Sequence, residues 1–385
     1  MSNNSDIQIY RQLQQHLDNF PIGMPATESG VEIKILKFLF TPLQAKIATC
    51  LNLGPKRPGK VLKRFHDRFE IEMTEKEIAD HLHEMFMNGS LERSGKEGSW
   101  RYSNAMLAIG MFEYHVNKLT PEFVQNMNDY FDEAFAGEFH RAAVPQLRTS
   151  PHLKALAPDH KIAIYDDMRH YVQNTDKTIQ VANCICKQGE ALLGKPCKQT
   201  DDIELCLIFG SKNYAAREQV REITKEECLA ILDRAEKEGM VLQPGNTMEP
   251  FAICICCGCC CGVLTAAKQF DEPAKLFATN YYAEVVMDDC IGCGICIKRC
   301  QMDAIKVEDK KAIIDLGKCI GCGLCVTTCP TKAMKLVKKD DETIPPKDTA
   351  ALYMKILQKK VGKRIEMMKM LKTLGIIRII RMYPA

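Results

Sequence analysis

Residues 290–300 read CIGCGICIKRC, and residues 319–330 read CIGCGLCVTTCP. The two stretches share one cysteine spacing, C-x2-C-x2-C-x3-C, and they recur with a period of 29 residues. Three thiols separated by two-residue gaps wrap one iron–sulfur cube, whereas the fourth thiol of such a run points to a neighbouring cube. The repeat therefore predicts two [4Fe-4S] clusters, each held by three thiols of one copy and the last thiol of the other.

This exchange of the fourth thiol assigns the ligands of both clusters. The predicted ligands of cluster I are Cys290, Cys293, Cys296 and Cys329. The predicted ligands of cluster II are Cys319, Cys322, Cys325 and Cys300. Gln301 follows Cys300 where the second copy has Pro330, which is a departure from the pattern. A pair of zinc sites is the alternative, but zinc usually takes two separated cysteine pairs.

Composition and charge restrict the class of protein. The chain has 385 residues, 46% of them apolar, and a formal net charge of +3, which is too small to indicate a polyanionic partner for the whole chain. The start shows no basic stretch followed by an apolar core, and no run of about 18 apolar residues indicates a membrane span. The expected location is the cytoplasm, where thiols stay reduced, so clustered cysteines are expected to bind metal.

A second set of cysteines lies before the repeat. Nineteen of the 20 cysteines follow residue 183, and six of them fall within residues 254–261. So many thiols in one window are an oxidation hazard unless most of them bind metal. We expect one or two additional iron–sulfur clusters here, with zinc, a dithiol relay or buried free thiols as alternatives. The predicted further ligands are Cys184, Cys186, Cys197, Cys206, Cys254, Cys256, Cys257, Cys260 and Cys261.

Cys50 and Cys228 stand apart from both sets. Each falls on an expected helix, and Cys228 shares its face with Leu232. An isolated cysteine on an apolar helix face packs as a small hydrophobic residue. We therefore interpret both as core residues.

Local signals predict an α+β fold with six segments. Thr41 and Thr74 each open a capping box, and the stretches 91–93 and 100–102 flank a loop typical of a hairpin. This order of helices and hairpin is that of a winged helix, and a further helix is expected at about 104–117. The predicted segments are an N-terminal helix and linker (1–30), a winged-helix-like domain (31–118), a helical connector (119–180), a cysteine-rich iron–sulfur domain (181–280), a two-cluster bacterial ferredoxin-like domain (281–340) and a basic amphipathic helical tail (341–385).

The chain resembles a family of 4Fe-4S dicluster proteins of anaerobes, most of which are described as ferredoxins. The resemblance covers roughly residues 35–340. Its motifs are ANCICKQ at 182–188, GKPC at 194–197, LCLIFG at 205–210 and ICICCGCCCGVL at 253–264, followed by the cysteine repeat. The resemblance implies electron transfer without a defined reaction. In that family the position of Cys259 is not usually cysteine, which makes Cys259 the expected spare thiol.

Electron transfer between redox partner proteins is the function that these features favour. Two alternatives stay open: a redox-sensing winged-helix transcription regulator, and a reductase with a substrate site at Cys254–Cys261. The expected recognition helix carries Glu75, Glu77, Asp80 and Glu84 against Lys76, and this acidic face would repel phosphate. We therefore expect no nucleic-acid partner.

The C-terminal stretch 352–381 alternates apolar residues at three- and four-residue steps with basic ones. This pattern predicts an amphipathic helix with three possible partners. It packs on its own chain, binds a groove of a partner protein, or lies on an anionic membrane surface, which would place the protein peripherally at the inner face of the membrane.

Overall fold

The computed structural model describes residues 3–140, 144–156 and 162–361. Its helices are α1 (Asn3–Leu17), α2 (Val31–Leu39), α3 (Pro42–Thr49), α4 (Pro58–His66), α5 (Glu75–Met87), α6 (Pro121–Tyr130), α7 (Ala136–His140), α8 (Met168–Asn174), α9 (Ile185–Leu192), α10 (Lys212–Ala216), α11 (Lys225–Glu238), α12 (Gly262–Ala267), α13 (Ile295–Arg299), α14 (Leu324–Thr327) and α15 (Thr349–Val361). Its strands are β1 (Leu91–Ser94), β2 (Arg101–Asn104), β3 (Ile179–Asn183), β4 (Glu204–Phe209), β5 (Arg221–Glu222), β6 (Val241–Pro244), β7 (Ala252–Cys256), β8 (Tyr281–Val285), β9 (Ile305–Glu308), β10 (Lys311–Ile314) and β11 (Met334–Lys338).

This mixture of helices and sheets confirms the α+β class, and the chain divides into two compact units. The described residues of the N-terminal unit are 3–140, 212–219 and 354–361. Those of the cysteine unit are 144–211, without 157–161, and 220–353. The cysteine unit contains every cysteine except Cys50.

Helices α1 to α5 and the hairpin β1–β2 form the first part of the N-terminal unit. Both predicted capping boxes are present, because the side chains of Thr41 and Thr74 accept from the backbone N–H three residues on. In return, the backbone N–H of each threonine donates to the side chain of that residue, Gln44 or Glu77. Cys50 is buried at the end of α3, as predicted. The order of helices and hairpin agrees with the expected one, while its identity as a winged helix stays a prediction.

The prediction of a helix at about 104–117 is wrong. Ala108 and Ile109 adopt extended backbone angles, and the side chain of Glu113 accepts a hydrogen bond from the Gly110 N–H at 2.6 Å. Only short turns form in this stretch. A continuous apolar run such as residues 105–112 suits a buried irregular segment as well as it suits a helix, and periodicity does not separate the two.

An antiparallel five-stranded sheet, in the order β5-β3-β4-β7-β6, forms the centre of the cysteine unit. Side chains alternate between the two faces of each strand. One face carries Leu207, Ile253 and Ile255, which pack with α8 and α11 in a core that includes Cys228. The interpretation of Cys228 as a core residue is thereby confirmed. The other face carries the cysteines of β4 and β7.

Two hairpin-like pairs frame the repeated cysteine motif, which we call the ferredoxin module (residues 281–338). Strand β8 pairs with β11, and β9 pairs with β10, in both cases antiparallel. The short helices α13 and α14 each begin directly after a cysteine loop, at Gly294 and Gly323, which both have positive φ. Two similar half-modules therefore carry the two copies of the motif.

Residues 148–150 and Asp166 attach the ferredoxin module to the sheet. Ser150 bridges to Leu242 of β6, and Arg148 bridges to Ala278 before β8. The buried Arg148 guanidinium donates to Asp166 at 2.8 Å, and the same carboxylate accepts from Asn280 at 2.8 Å. Burial raises the pKa of Asp166, and the Arg148 charge opposes that effect. The module is thus held against the sheet by backbone pairing and by a buried ion pair.

The predicted C-terminal helix is present as α15 up to residue 361, and its remainder, 362–385, lies outside the described residues. Leu352, Ile356 and Leu357 are buried, and Lys360 forms an ion pair with Glu138. In the described part of the tail, the apolar face therefore packs on its own chain. Among the described residues, no helix is long and apolar enough to cross a membrane.

Candidate metal centres

Each cysteine loop of the ferredoxin module depends on glycines at defined positions. Gly292 and Gly321 have φ of +67°, a conformation that other residues rarely adopt. A Cβ atom at Gly292 would overlap the carbonyl of Lys310, and one at Gly321 would overlap that of Tyr281. The loops therefore lie directly against neighbouring backbone, which is why C-x-G-C recurs in both copies.

The structure places Cys300 of the first copy of the motif near thiols of the second copy. The charge of Cys296 interacts with those of Cys293 and Cys290. Cys322 interacts with Cys300 and Cys319, although Cys300 belongs to the first copy of the motif. Burial raises the pKa of Cys322 to about 12 and also raises that of Cys300. This placement supports the predicted sharing of Cys300, and the ligand assignment stays a prediction.

Backbone amides point at the sulfur atoms of the module. Ala283 N–H donates to Cys319 Sγ at 3.4 Å, Ala304 N–H to Cys300 Sγ at 3.2 Å, and Ala312 N–H to Cys290 Sγ at 3.4 Å. Such bonds stabilise negative charge on sulfur. The donor set of eight thiols with amides directed at them fits two [4Fe-4S] clusters, which would supply one-electron acceptance and donation when bound.

Arg299 adds a positive charge to this site. Its guanidinium donates to the carbonyls of Glu236 and Lys237 at the C-terminus of α11, and its charge interacts with those of Cys322 and Cys325. A cation near thiolates favours the more negative, reduced state of whatever they ligate. The sequence shows Arg299 beside Cys300 but does not show that it lies near the thiols of the second copy.

Six of the other ten thiols form a chain of contacts, which we call the six-thiol group. Cys206 and Cys254 are directly opposite each other across β4 and β7, and Cys254 and Cys256 share one face of β7. Thiol–thiol hydrogen bonds connect the cysteines in sequence: Cys206 to Cys254, Cys254 to Cys256, Cys256 to Cys261, Cys261 to Cys186, and Cys186 to Cys184. The members of the group are Cys184, Cys186, Cys206, Cys254, Cys256 and Cys261.

The contacts within the six-thiol group favour thiolates at two positions. Hydrogen bonds from Cys206 and Cys256 hold the pKa of Cys254 well below its usual value. Hydrogen bonds from Cys186 and Cys256 lower the pKa of Cys261 to about 5. Since the thiolate is the form that ligates metal, this group is suited to an iron–sulfur cluster.

The remaining four thiols form a tighter set, the four-thiol group. Its members are Cys197, Cys257, Cys259 and Cys260, whose sulfur atoms all lie within 4.8 Å of one another. A hydrogen bond from Cys260 lowers the pKa of Cys257 to about 4. The geometry favours Cys259 as a ligand, contrary to the expectation from the family resemblance that it is the spare thiol.

Two buried glutamines that the sequence did not indicate support these groups. Gln243, opposite Cys254 on β6, donates from Nε2 to Cys261 Sγ at 3.7 Å. Gln301 Oε1 accepts from the Gly258 N–H at 2.7 Å, which ties the loop between the two thiol groups to the residue after Cys300. The missing proline of the first motif is thereby explained, because this position carries a side chain that binds the neighbouring loop. The sequence contained two signals for these residues: a glutamine within the strand β6, and a glutamine in place of the proline that the motif has after its fourth cysteine.

Comparison with known proteins identifies one domain. The model of the 4Fe-4S dicluster domain matches residues 283–336, which lie within the ferredoxin module. No curated protein and no solved structure matches the chain. The match and the eight thiols establish an iron–sulfur protein with two [4Fe-4S] clusters and an electron-transfer role, and the ten other thiols are compatible with further clusters.

Proposed function

We propose that this chain is an electron-transfer protein or subunit that moves low-potential electrons between redox partner proteins. It uses the two clusters of the ferredoxin module and at least one further iron–sulfur cluster in the six-thiol group. Its winged-helix-like domain has no DNA-binding role in this proposal, because the helix α5 is acidic on its exposed surface.

One observation carries the proposal. Cys256 and Cys261 of the six-thiol group are buried in an apolar cluster with Leu324 of α14, and Cys300 and Cys322 pack against that same cluster. The six-thiol group and the predicted ligands of cluster II therefore border one continuous apolar region. Two redox centres that border the same apolar region are not separated by a water-filled gap. An electron-transfer chain requires such close packing between its centres.

The protein's own residues exclude water and hold charge in this region. Met302, Ile320 and Leu324 are each no more than 2% exposed. They pack in one apolar cluster with Cys256 and Cys261, and Ile320 and Leu324 belong to the second copy of the cysteine motif. Apolar surroundings strengthen electrostatic interactions with the amides and with Arg299.

The metal content of anaerobically purified full-length protein tests the proposal. We expect more iron and acid-labile sulfide than the roughly eight of each that two cubes supply. The double variant Cys254→Ser/Cys256→Ser should fall to about eight iron per chain, because it removes two central thiols of the group. Cys228→Ala is the matched control, since this buried cysteine of the same unit lies outside both groups. Eight iron in the wild-type protein, unchanged in the double variant, contradicts the further cluster.

Electron transfer itself is tested separately by stopped-flow reduction with a low-potential viologen and reoxidation by an acceptor dye. We expect all clusters, including the further one, to be reduced and reoxidised within one experiment. A further cluster that is present but is not reduced by any low-potential donor would leave the iron assignment intact and would refute the electron-transfer chain.

We also propose that residues 362–385 bind an acidic redox partner. Basic residues such as Lys363, Arg364, Lys369 and Lys372 recur here, and complementary charge accelerates encounter between proteins. Truncation after Val361 retains the buried residues of α15 and removes only this stretch. The truncated protein should reduce an acidic acceptor protein more slowly at low salt and at the same rate at high salt. Tight retention of the full-length chain by anionic vesicles, with unchanged transfer rates after truncation, would indicate a membrane surface instead.

A further inference from the structure

The distances within the four-thiol group differ from those of an iron–sulfur cube. The sulfur of Cys197 lies 3.6 Å from that of Cys257 and 3.8 Å from that of Cys259. The sulfur of Cys259 lies 3.4 Å from that of Cys257 and 3.6 Å from that of Cys260. A tetrahedral ion with metal–sulfur bonds of about 2.3 Å separates its ligand sulfurs by about 3.8 Å. The four thiols therefore have the spacing of ligands to one ion.

The ferredoxin module provides an internal comparison. A cube binds each of its four thiolates through a different iron, so the ligand sulfurs must be spread around the cluster. The ligand atoms of the four-thiol group all lie within 4.8 Å of one another. Among the described residues, no other group of three or more cysteine, histidine or acidic side chains meets this criterion. The predicted ligand sets of clusters I and II are more widely spaced. The same fold thus contains thiols spaced for cubes and thiols spaced for a single ion.

The surroundings of the four-thiol group are those of a closed structural site. Cys257 and Cys260 are buried in the core formed with α11, which is separate from the apolar cluster that contains Cys256 and Cys261. The amides of Lys198 and Gln199 donate to Cys259 Sγ and Cys197 Sγ at 3.5 and 3.4 Å. Four thiolates with amide donors leave no open coordination position, as in structural zinc sites.

We infer that Cys197, Cys257, Cys259 and Cys260 bind one tetrahedral zinc ion. The ion joins the loop after α9 to the turn after β7, two segments that are 60 residues apart in the sequence. It holds the turn that carries Cys256 and Cys261 and so positions the six-thiol group without taking part in electron transfer. Cys259, unusual for the resembling family, completes the coordination.

Elemental analysis of the full chain, purified anaerobically and dialysed against a chelator, tests this inference. We expect one zinc per chain in addition to the iron. Cys259→Ser and Cys197→Ser should each lose most of the zinc, while the control Cys228→Ala keeps it. The iron content distinguishes this proposal from the electron-transfer proposal. A chain that contains more iron than two cubes supply, but no zinc, refutes the zinc site and leaves the electron-transfer proposal intact.

Zinc K-edge absorption of the wild-type protein gives a test that does not depend on the folding of variants. We expect four sulfur neighbours at about 2.3 Å and no nitrogen or oxygen neighbour. Zinc with mixed ligands, zinc that washes out on dialysis, or a single tetrathiolate iron seen by EPR in place of zinc would each overturn the assignment.

Discussion

The ferredoxin module and the middle sheet both gather cysteines, but they do so by different means. In the module, one tight loop supplies three thiols, amides bond to the sulfurs, and the sulfurs do not crowd together. In the sheet region, several strands, loops and turns from residues 184 to 261 together supply the thiols, and neighbouring sulfurs contact one another directly. Spacing along the chain identifies ligands where one loop builds the site, whereas strand register identifies them where a sheet builds it.

The comparison is tested most strongly at Cys300, a thiol that the two copies of the motif are predicted to exchange. Cys300→Ala should abolish the cluster held by Cys319, Cys322 and Cys325 and remove about four iron atoms per chain. The reason is its position near Cys319 and Cys322 of the second copy. EPR of the reduced protein measures the loss, with Cys329→Ala as the reciprocal variant. If each variant loses the cluster of its own copy, the sharing of thiols is refuted.

Gly258 tests how far the two regions depend on each other. A Cβ atom here would overlap the carbonyl of Gln301, which is backbone and cannot rotate away. Gly258→Ala should therefore cost about 1–3 kcal/mol of unfolding free energy and perturb the EPR signals of both cluster II and the middle sheet. Thermal unfolding and EPR measure these effects.

Gly137→Ala is the matched control for Gly258→Ala, because a Cβ atom there meets nothing within 4 Å. A change confined to the middle sheet in Gly258→Ala would show that its turn and the ferredoxin module are independent.

Arg299 tests whether charge, in addition to ligation, distinguishes the two clusters of the module. Arg299→Gln should lower the potential of cluster II by an amount on the order of 60 mV, which equals about 1.4 kcal/mol for a one-electron couple. Removal of the cation destabilises the reduced state more than the oxidised one. Potentiometric titration followed by EPR measures the shift.

Lys298→Gln is the control for charge, since Lys298 is exposed on the same helix, and Arg299→Lys should restore most of the potential. An equal shift in Lys298→Gln and Arg299→Gln would mean that net charge, and not the position of Arg299, sets the potential.

Cys228 is expected to show the smallest effect, because it is a cysteine of the sheet region without a metal-binding role. Burial raises its pKa to about 12, so at neutral pH it stays a protonated, poorly reactive thiol. Cys228→Ala should leave zinc and iron unchanged and cost about 1 kcal/mol of unfolding free energy. Native alkylation followed by mass spectrometry should leave Cys228 unmodified, and its rapid modification or any loss of metal would contradict the assignment.

Local sequence signals predicted the helix boundaries well where capping residues mark them. The capping boxes at Thr41 and Thr74 are both present. The helix predicted at about 104–117 is wrong, because an apolar run without caps leaves helix and irregular structure equally compatible. Nothing local indicated that residues 212–219 pack in the N-terminal unit, where Arg217 lies 4.1 Å from the rings of both Phe86 and Tyr114.

For this protein, the sequence by itself determined the two [4Fe-4S] clusters and the module that holds them, because their ligand spacing is a property of short loops. It also indicated that most of the ten further thiols belong to a second metal-binding region, which stays a prediction. Only the tertiary structure divided those ten into six and four, brought Cys206 opposite Cys254, and placed Gln301 on Gly258. These contacts depend on antiparallel register and on packing between segments far apart in the chain, and no local pattern of residues encodes either one.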